Sequence, residues 1–133
     1  MYSGSCLCGA IHFEWDGEPT NGCLCHCLDC QKFTGSPFSC NVAVPKKALR
    51  ITKGAPKVYH SHGVSGGNVL RNFCGDCGSS LWSDADLFPG IYLVKAGTLH
   101  GDVVNYPMTE EYFTIHRRNC VKAVDGAKQF ETQ

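Results

Sequence analysis

The eight residues from Cys23 to Cys30, CLCHCLDC, put four cysteines and a histidine into one short stretch. A chain carrying such a stretch must fold around whatever those thiols do. They add little apolar volume to a core, and neighbours this close cannot all pair as disulfides without strain, because a disulfide holds its Cα atoms to a narrow range of separations. The whole chain has 10 cysteines in 133 residues, an even count that also suits a secreted disulfide scaffold. The N-terminal MYSGSCLCGA, however, has no charged and apolar signal-peptide layout. Bridges across Cys-x-Cys or Cys-x-x-Cys would also link few distant parts of the chain. The spacing favours metal binding over disulfides and redox chemistry.

The length suits a single domain over residues 1–133, with 124–133 as a loosely held tail anchored by Phe130. Lysine plus arginine equal aspartate plus glutamate, 12 of each. A nucleic-acid partner would call for a basic excess or stripe, so none is expected. No apolar run is long enough for a membrane helix. The expectation is a soluble, cytoplasmic chain with no membrane partner; its oligomeric state is open.

Short strands separated by turn residues dominate the rest. Ile11, Phe13 and Trp15 alternate with His12 and Glu14, the period of a half-buried strand. Segments 41–45, 57–61, 69–73, 79–82 and 91–97 read similarly, with GVSGGN at 63–68 as one of the turns between them. Helix is expected only as single turns at 28–34 and 109–113. The fold class is therefore all-β.

The cysteines divide into two sets. In CGDCG, at 74–78, the backbone turns between the sulfurs and its amides can point at them, while Cys6 and Cys8 lie on one side of an extended chain. Cys6, Cys8, Cys74 and Cys77 thus form a candidate structural zinc site, closed by four thiolates at about 2.3 Å. A thioredoxin-like redox pair is the alternative for CGDC, but it should lead into a helix, and GSSLW follows instead. Cys25, Cys27 and Cys30 can hold a second zinc from one side, leaving a fourth position for chemistry. The alternative adds Cys23 and closes that site too. Cys40 and Cys120 read as buried small apolar groups. His26 should point away from the ligands on either side of it, and no histidine is assigned a role. A zinc-deaminase reading of HFE with CLDC lacks the proline before its Cys-x-x-Cys and the helical context.

At these residues the chain resembles the glutathione-dependent formaldehyde-activating enzyme family, which includes centromere protein V. The resemblance runs through GSCLCGAI at 4–11, CHCLDCQKFTGSPF at 25–38, FCGDCGSSLW at 73–82 and VKAGTL at 94–99. It implies an all-β tent with a structural zinc on Cys6, Cys8, Cys74 and Cys77. It also implies a catalytic zinc on Cys25, Cys27 and Cys30 that receives the thiol of glutathione, the cosubstrate. The implied activity is reversible addition of that thiol to formaldehyde, a carbon–sulfur lyase reaction. Lys32, Gly35 and Ser36 match the segment after the catalytic cysteines and are implied glutathione contacts. Cys23 is unusual for the family, as are His100 after GTL and Cys120 where tryptophan is common; the last two bear on substrate choice.

Charge is consistent with that chemistry. Three thiolates leave a zinc ion a weak Lewis acid, poor at activating water but suited to a soft thiol as fourth ligand. A free thiol has a pKa of about 8.5, so a metal that deprotonates it creates the nucleophile. Lys32, Lys95 or Arg71 can meet glutathione's carboxylates. The other class of function is a non-catalytic zinc-binding interaction or chaperone-like module on the same scaffold, distinguished by whether the second site binds a thiol.

Overall fold

The computed structural model describes residues 1–63, 66–101 and 106–132. Among the described residues, eleven strands, one α-helix and short 3-10 turns make up the regular structure. Strands β1 (Tyr2–Ser5), β2 (His12–Trp15) and β5 (Arg50–Lys53) form an antiparallel sheet in the order β1-β2-β5. The second sheet is built from β3 (Gly22–Cys25), β4 (Ser39–Pro45), β6 (Lys57–His62), β7 (Asn68–Phe73), β8 (Ser80–Ala85), β9 (Ile91–Lys95), β10 (Glu110–Tyr112) and β11 (Lys128–Gln129). Its order is β11-β10-β3-β4-β9-β8-β7-β6. All pairings are antiparallel except those of β10 with β3 and with β11. The all-β expectation holds. No helix among the described residues is long and apolar enough to cross a membrane.

Alternation explains the core. In β2, Phe13 and Trp15 are buried while His12 and Glu14 are half-buried. Both aromatic rings turn toward the larger sheet, where Phe13 meets Trp82 edge-on at 5.3 Å between centroids. Val42, Val44, Leu81 and Val94 complete this core, and Cys6 and Cys74 belong to it as well. Two cysteines from distant parts of the chain are therefore built into the packing between the sheets.

The helix α1 (Leu28–Thr34) is seven residues long, about two turns where one was expected. Cys27 is its N-cap, with Sγ accepting from the Cys30 N–H at 3.2 Å, and Gly35 closes it. A thiol here takes the place of the usual hydroxyl or carboxylate cap.

Three expectations need correction. Residues 110–112 are a strand, not a helical turn: β10 pairs with β3, placing Glu111 opposite Leu24 and Tyr112 opposite Cys25. The helical turn comes later, as a 3-10 turn over Thr114–His116. The tail is not loose through its length. Lys128 and Gln129 pair with β10, and Phe130 stacks on Tyr112 at 5.2 Å. Cys120 is exposed rather than buried, and Cys40 is half-buried with its sulfur 3.8 Å from Met108 Sδ.

Candidate metal centres and the adjoining cavity

All ten cysteines are free thiols. Cys6, Cys8, Cys74 and Cys77 come together with their sulfurs within 4.8 Å of one another. Cys6 and Cys8 are 3.7 Å apart, and Cys8 and Cys74 are 3.8 Å apart. Four sulfurs placed tetrahedrally at 2.3 Å from zinc lie about 3.8 Å from each other, so the donor set fits that ion. Local geometry prepares it. The chain folds back after each cysteine pair at Gly9 (φ 78°) and Gly78 (φ 77°), a conformation that costs a side-chain-bearing residue. The first turn aims the Ile11 N–H at Cys6 Sγ, 3.3 Å away. Hydrogen bonds from the Ser79 side chain and backbone bring Cys77 down to about 5, toward the thiolate a metal needs. The segment after Cys77 enters strand β8 rather than a helix, against the redox alternative.

Cys25, Cys27 and Cys30 form the second cluster, again within 4.8 Å. Cys25 ends β3, Cys27 caps α1 and Cys30 lies in its first turn, so the strand-to-helix bend gathers the sulfurs. Hydrogen bonds from Cys25 and Cys27, with Lys95 adding its charge, pull Cys30 down to about 2. The same bonds push Cys25 up. Three sulfurs gathered at one point are a donor set that fits a soft divalent ion.

Cys23 lies outside this cluster. It is buried, its nearest hydrogen-bonding group is Asn41 Nδ2 at 3.9 Å, and burial pushes its thiol up to about 12. His26 turns away from the sulfurs as expected. It is fully buried, with Nε2 2.8 Å from Glu111 Oε1.

The triad opens onto a cavity of about 320 Å³. Leu87, Phe88, Leu93 and Tyr112 give it apolar walls, and Asn41, Arg71 and Lys95 supply polar ones. Lys32, Gly35 and Ser36 do not line it. They border a separate open groove with Arg118 and Cys120. His100 also lies elsewhere, its ring nitrogens 3.3 Å from Ser3 Oγ and 3.1 Å from Ser5 Oγ. The residues that sequence reasoning missed are the apolar wall and the His26–Glu111 pair. Both draw on segments distant in sequence, and neither has a local signature.

Comparison with known proteins points one way. Residues 1–116 match the family described as glutathione-dependent formaldehyde-activating enzyme. An uncharacterized lyase of Schizosaccharomyces pombe is 31% identical over 81 residues, which are 61% of this chain and 56% of that protein. The match therefore spans little more than half of that relative's length. A crystal structure of a Rhodobacter sphaeroides protein has a similar fold, with a TM-score of 0.61 at 25% identity, covering 74% of this chain and 88% of the other.

Proposed function

The chain belongs to the glutathione-dependent formaldehyde-activating enzyme family, and from that premise we propose that it is a zinc-dependent carbon–sulfur lyase acting on glutathione-type thiol adducts. One observation carries this reading. The three-sulfur cluster opens onto a cavity, whereas the four-sulfur cluster is complete in itself and rooted in the core through Cys6 and Cys74, with Cys77 half-buried and Cys8 at the surface. A closed set of four has no position left for a substrate; a set of three at a cavity wall has one.

Cys6, Cys8, Cys74 and Cys77 would hold the structural ion, and Cys25, Cys27 and Cys30 the catalytic one. Zinc at the second site supplies the positive charge that favours a substrate thiol as its thiolate and eases the departure of sulfur in the reverse direction. The chain does the rest. Its apolar walls exclude water and orient the adduct, and Lys95 stands beside the sulfurs, where burial pushes its amine down and the charge of Cys30 opposes that shift. Reaction joins the substrate sulfur to an aldehyde carbon as the carbonyl π bond opens and its oxygen takes up the proton that the thiol gave up, or runs back, with the proton returned to sulfur, to thiol and aldehyde.

Cobalt replacing zinc in the purified full chain tests this reading. Glutathione should raise the sulfur-to-cobalt charge-transfer absorption as a fourth sulfur arrives, and the zinc protein should cleave or form a glutathione–aldehyde adduct. A cobalt spectrum that ignores glutathione, in protein carrying both metals, overturns the lyase and leaves a zinc-stabilised binding module.

A further inference from the structure

His60 and His62 are two positions apart on β6, the strand at one edge of the larger sheet. That spacing puts both side chains on one face, and both residues are exposed. Ser61 between them points the other way: its Oγ accepts from Nε of Arg71 at 3.2 Å, and Arg71 lines the cavity beside the triad. The two histidines therefore stand on the opposite face of the sheet from the thiol site, and the lyase chemistry has no use for them. Their ring centroids are 5.5 Å apart. Two imidazoles on one tetrahedral ion, each with its nitrogen about 2.0–2.1 Å from the metal, keep their ring centres about 5.2 Å apart. The pair is spaced to chelate.

His60 is also held from behind. Its Nε2 lies 2.8 Å from Asn68 Oδ1. Asn68 Nδ2 donates to Asp86 Oδ2 at 3.1 Å, and the Asn68 backbone N–H donates to the same oxygen at 3.0 Å. An ionised carboxylate can only accept, so Asp86 takes the amide's NH₂ end and leaves its oxygen to face His60. Nε2 of His60 then carries the proton, and Nδ1 keeps its lone pair for a ligand. An acceptor behind one ring nitrogen is the arrangement that orients metal-bound histidines and makes them better donors. A histidine that merely faces solvent has no need of such a clamp.

We propose that His60 and His62 bind a divalent transition-metal ion, with Asn68 as the positioning residue that holds His60 for it. The class of ion follows from the donors. Imidazole nitrogen suits zinc, copper and nickel, whereas magnesium and calcium take oxygen ligands. Two protein ligands at an exposed strand edge leave the rest of the coordination sphere to water. The ion therefore exchanges with solution, and a chelator removes it before any ion gripped by three or four thiolates.

Zinc itself is the probe, added to the full chain after it has been loaded with zinc and washed with a mild chelator. Equilibrium dialysis against rising zinc should add one ion to those the washed protein retains. His60→Ala, His62→Ala and Asn68→Ala should each weaken that addition by about tenfold or more, with the retained zinc unchanged in all three. In the wild type, nitrogen-15 resonance of the rings should show His60 Nδ1 shifting as zinc binds while Nε2 keeps its proton. No added ion overturns the proposal, as does an added ion that folded His60→Ala and His62→Ala bind like the wild type; zinc taken up at the exposed Cys120 would give that second result. Ring signals of His60 and His62 that zinc leaves unmoved also overturn it, and that measurement needs no variant. Undiminished binding by Asn68→Ala removes the positioning role of Asn68.

Discussion

His26 and Glu111 meet at 2.8 Å, Nε2 to Oε1, with neither side chain exposed to solvent. The contact joins the bend between Cys25 and Cys27 to strand β10, 85 residues further along the chain. Glu111 has more partners. It accepts from the Val124 N–H and from Gln129 Nε2, each at 2.8 Å, and pairs with Arg117 Nη2 at 3.3 Å. Gln31 of α1 donates to the His26 carbonyl at 2.8 Å and accepts from Arg118 Nε at 2.7 Å. One buried carboxylate thus fastens the C-terminal segment to the strand-to-helix bend that presents the cysteine triad.

The first prediction concerns that carboxylate. Burial pushes Glu111 up, but hydrogen bonds from Gln129, His26, the Val124 N–H and Arg117 outweigh it and bring the group down to about 2. A lowered carboxylate stabilises the fold above its unfolded value, near 4.5, and loses that contribution as pH falls toward 2. Glu111→Gln should cost roughly 3 kcal/mol at neutral pH, because it leaves buried donors and a cation without their anion. The gap between wild type and variant, read from denaturant midpoints, should narrow as pH drops below 4.5. Comparing the two proteins cancels the acid-driven loss of metal common to both. A gap that stays constant down to pH 3 would show that Glu111 is not held as an anion.

How much of this was legible in the sequence depends on the range over which each feature is specified. The His12–Trp15 strand announces itself by alternation, and its burial follows that alternation residue by residue. Each metal-ligand pair is likewise local, a turn between two cysteines. The strand at Glu110–Tyr112 has no such mark, because two adjacent glutamates suit a helix as well and only pairing with β3 decides the matter. Lys32, Gly35 and Ser36 follow the triad closely in sequence, yet they border another groove. A helix turns about 100° per residue, so Lys32 lies about 200° around α1 from Cys30. Closeness in sequence therefore does not put Lys32 on the face of α1 that carries Cys30.

The two clusters should separate by consequence. Cys6 and Cys74 are 3% and 1% exposed within the core between the sheets, so metal binding there is folding energy. Cys74→Ser should lose secondary structure or become insoluble. Cys27→Ser should remain folded, keep one zinc of the two expected by elemental analysis, and lose activity. Unfolding of Cys27→Ser as severe as that of Cys74→Ser would remove the division between structural and catalytic sites.

Gly4, in the first cysteine motif, makes a packing prediction. A Cβ at this position would lie 2.5 Å from Phe13 Cζ and 2.6 Å from the Thr98 carbonyl oxygen. Phe13 is 1% exposed and cannot move aside, and a backbone oxygen yields no more readily. Gly4→Ala should therefore cost about 3 kcal/mol, with the urea midpoint falling at an unchanged slope. Gly97, in the GTL motif, has nothing within 4 Å of its added Cβ. Gly97→Ala should stay within about 0.5 kcal/mol of the wild type. Equal costs for the two would mean that β1 does not pack against β2 as closely as described.

The last prediction concerns Cys23, the one cysteine of the opening stretch that the triad leaves out. Cys23 and Cys25 are two residues apart on β3 and both line the cavity, so their side chains share a face of the sheet. Successive same-face positions on a strand are about 6.6 Å apart, too far for two sulfurs to close on one ion unless the strand curls. The strand does not curl: Cys23 pairs with Asn41 and Cys25 with Ser39 in unbroken register. Cys23 also sits beside Asn41 Nδ2 with its thiol pushed up to about 12 by burial, a poor state for a ligand. In cobalt-loaded protein, Cys23→Ala should leave both the starting absorption and its rise with glutathione unchanged, while Cys27→Ala should diminish both. If the wild type instead ignores glutathione and Cys23→Ala acquires the response, Cys23 is the fourth ligand and the second site is closed.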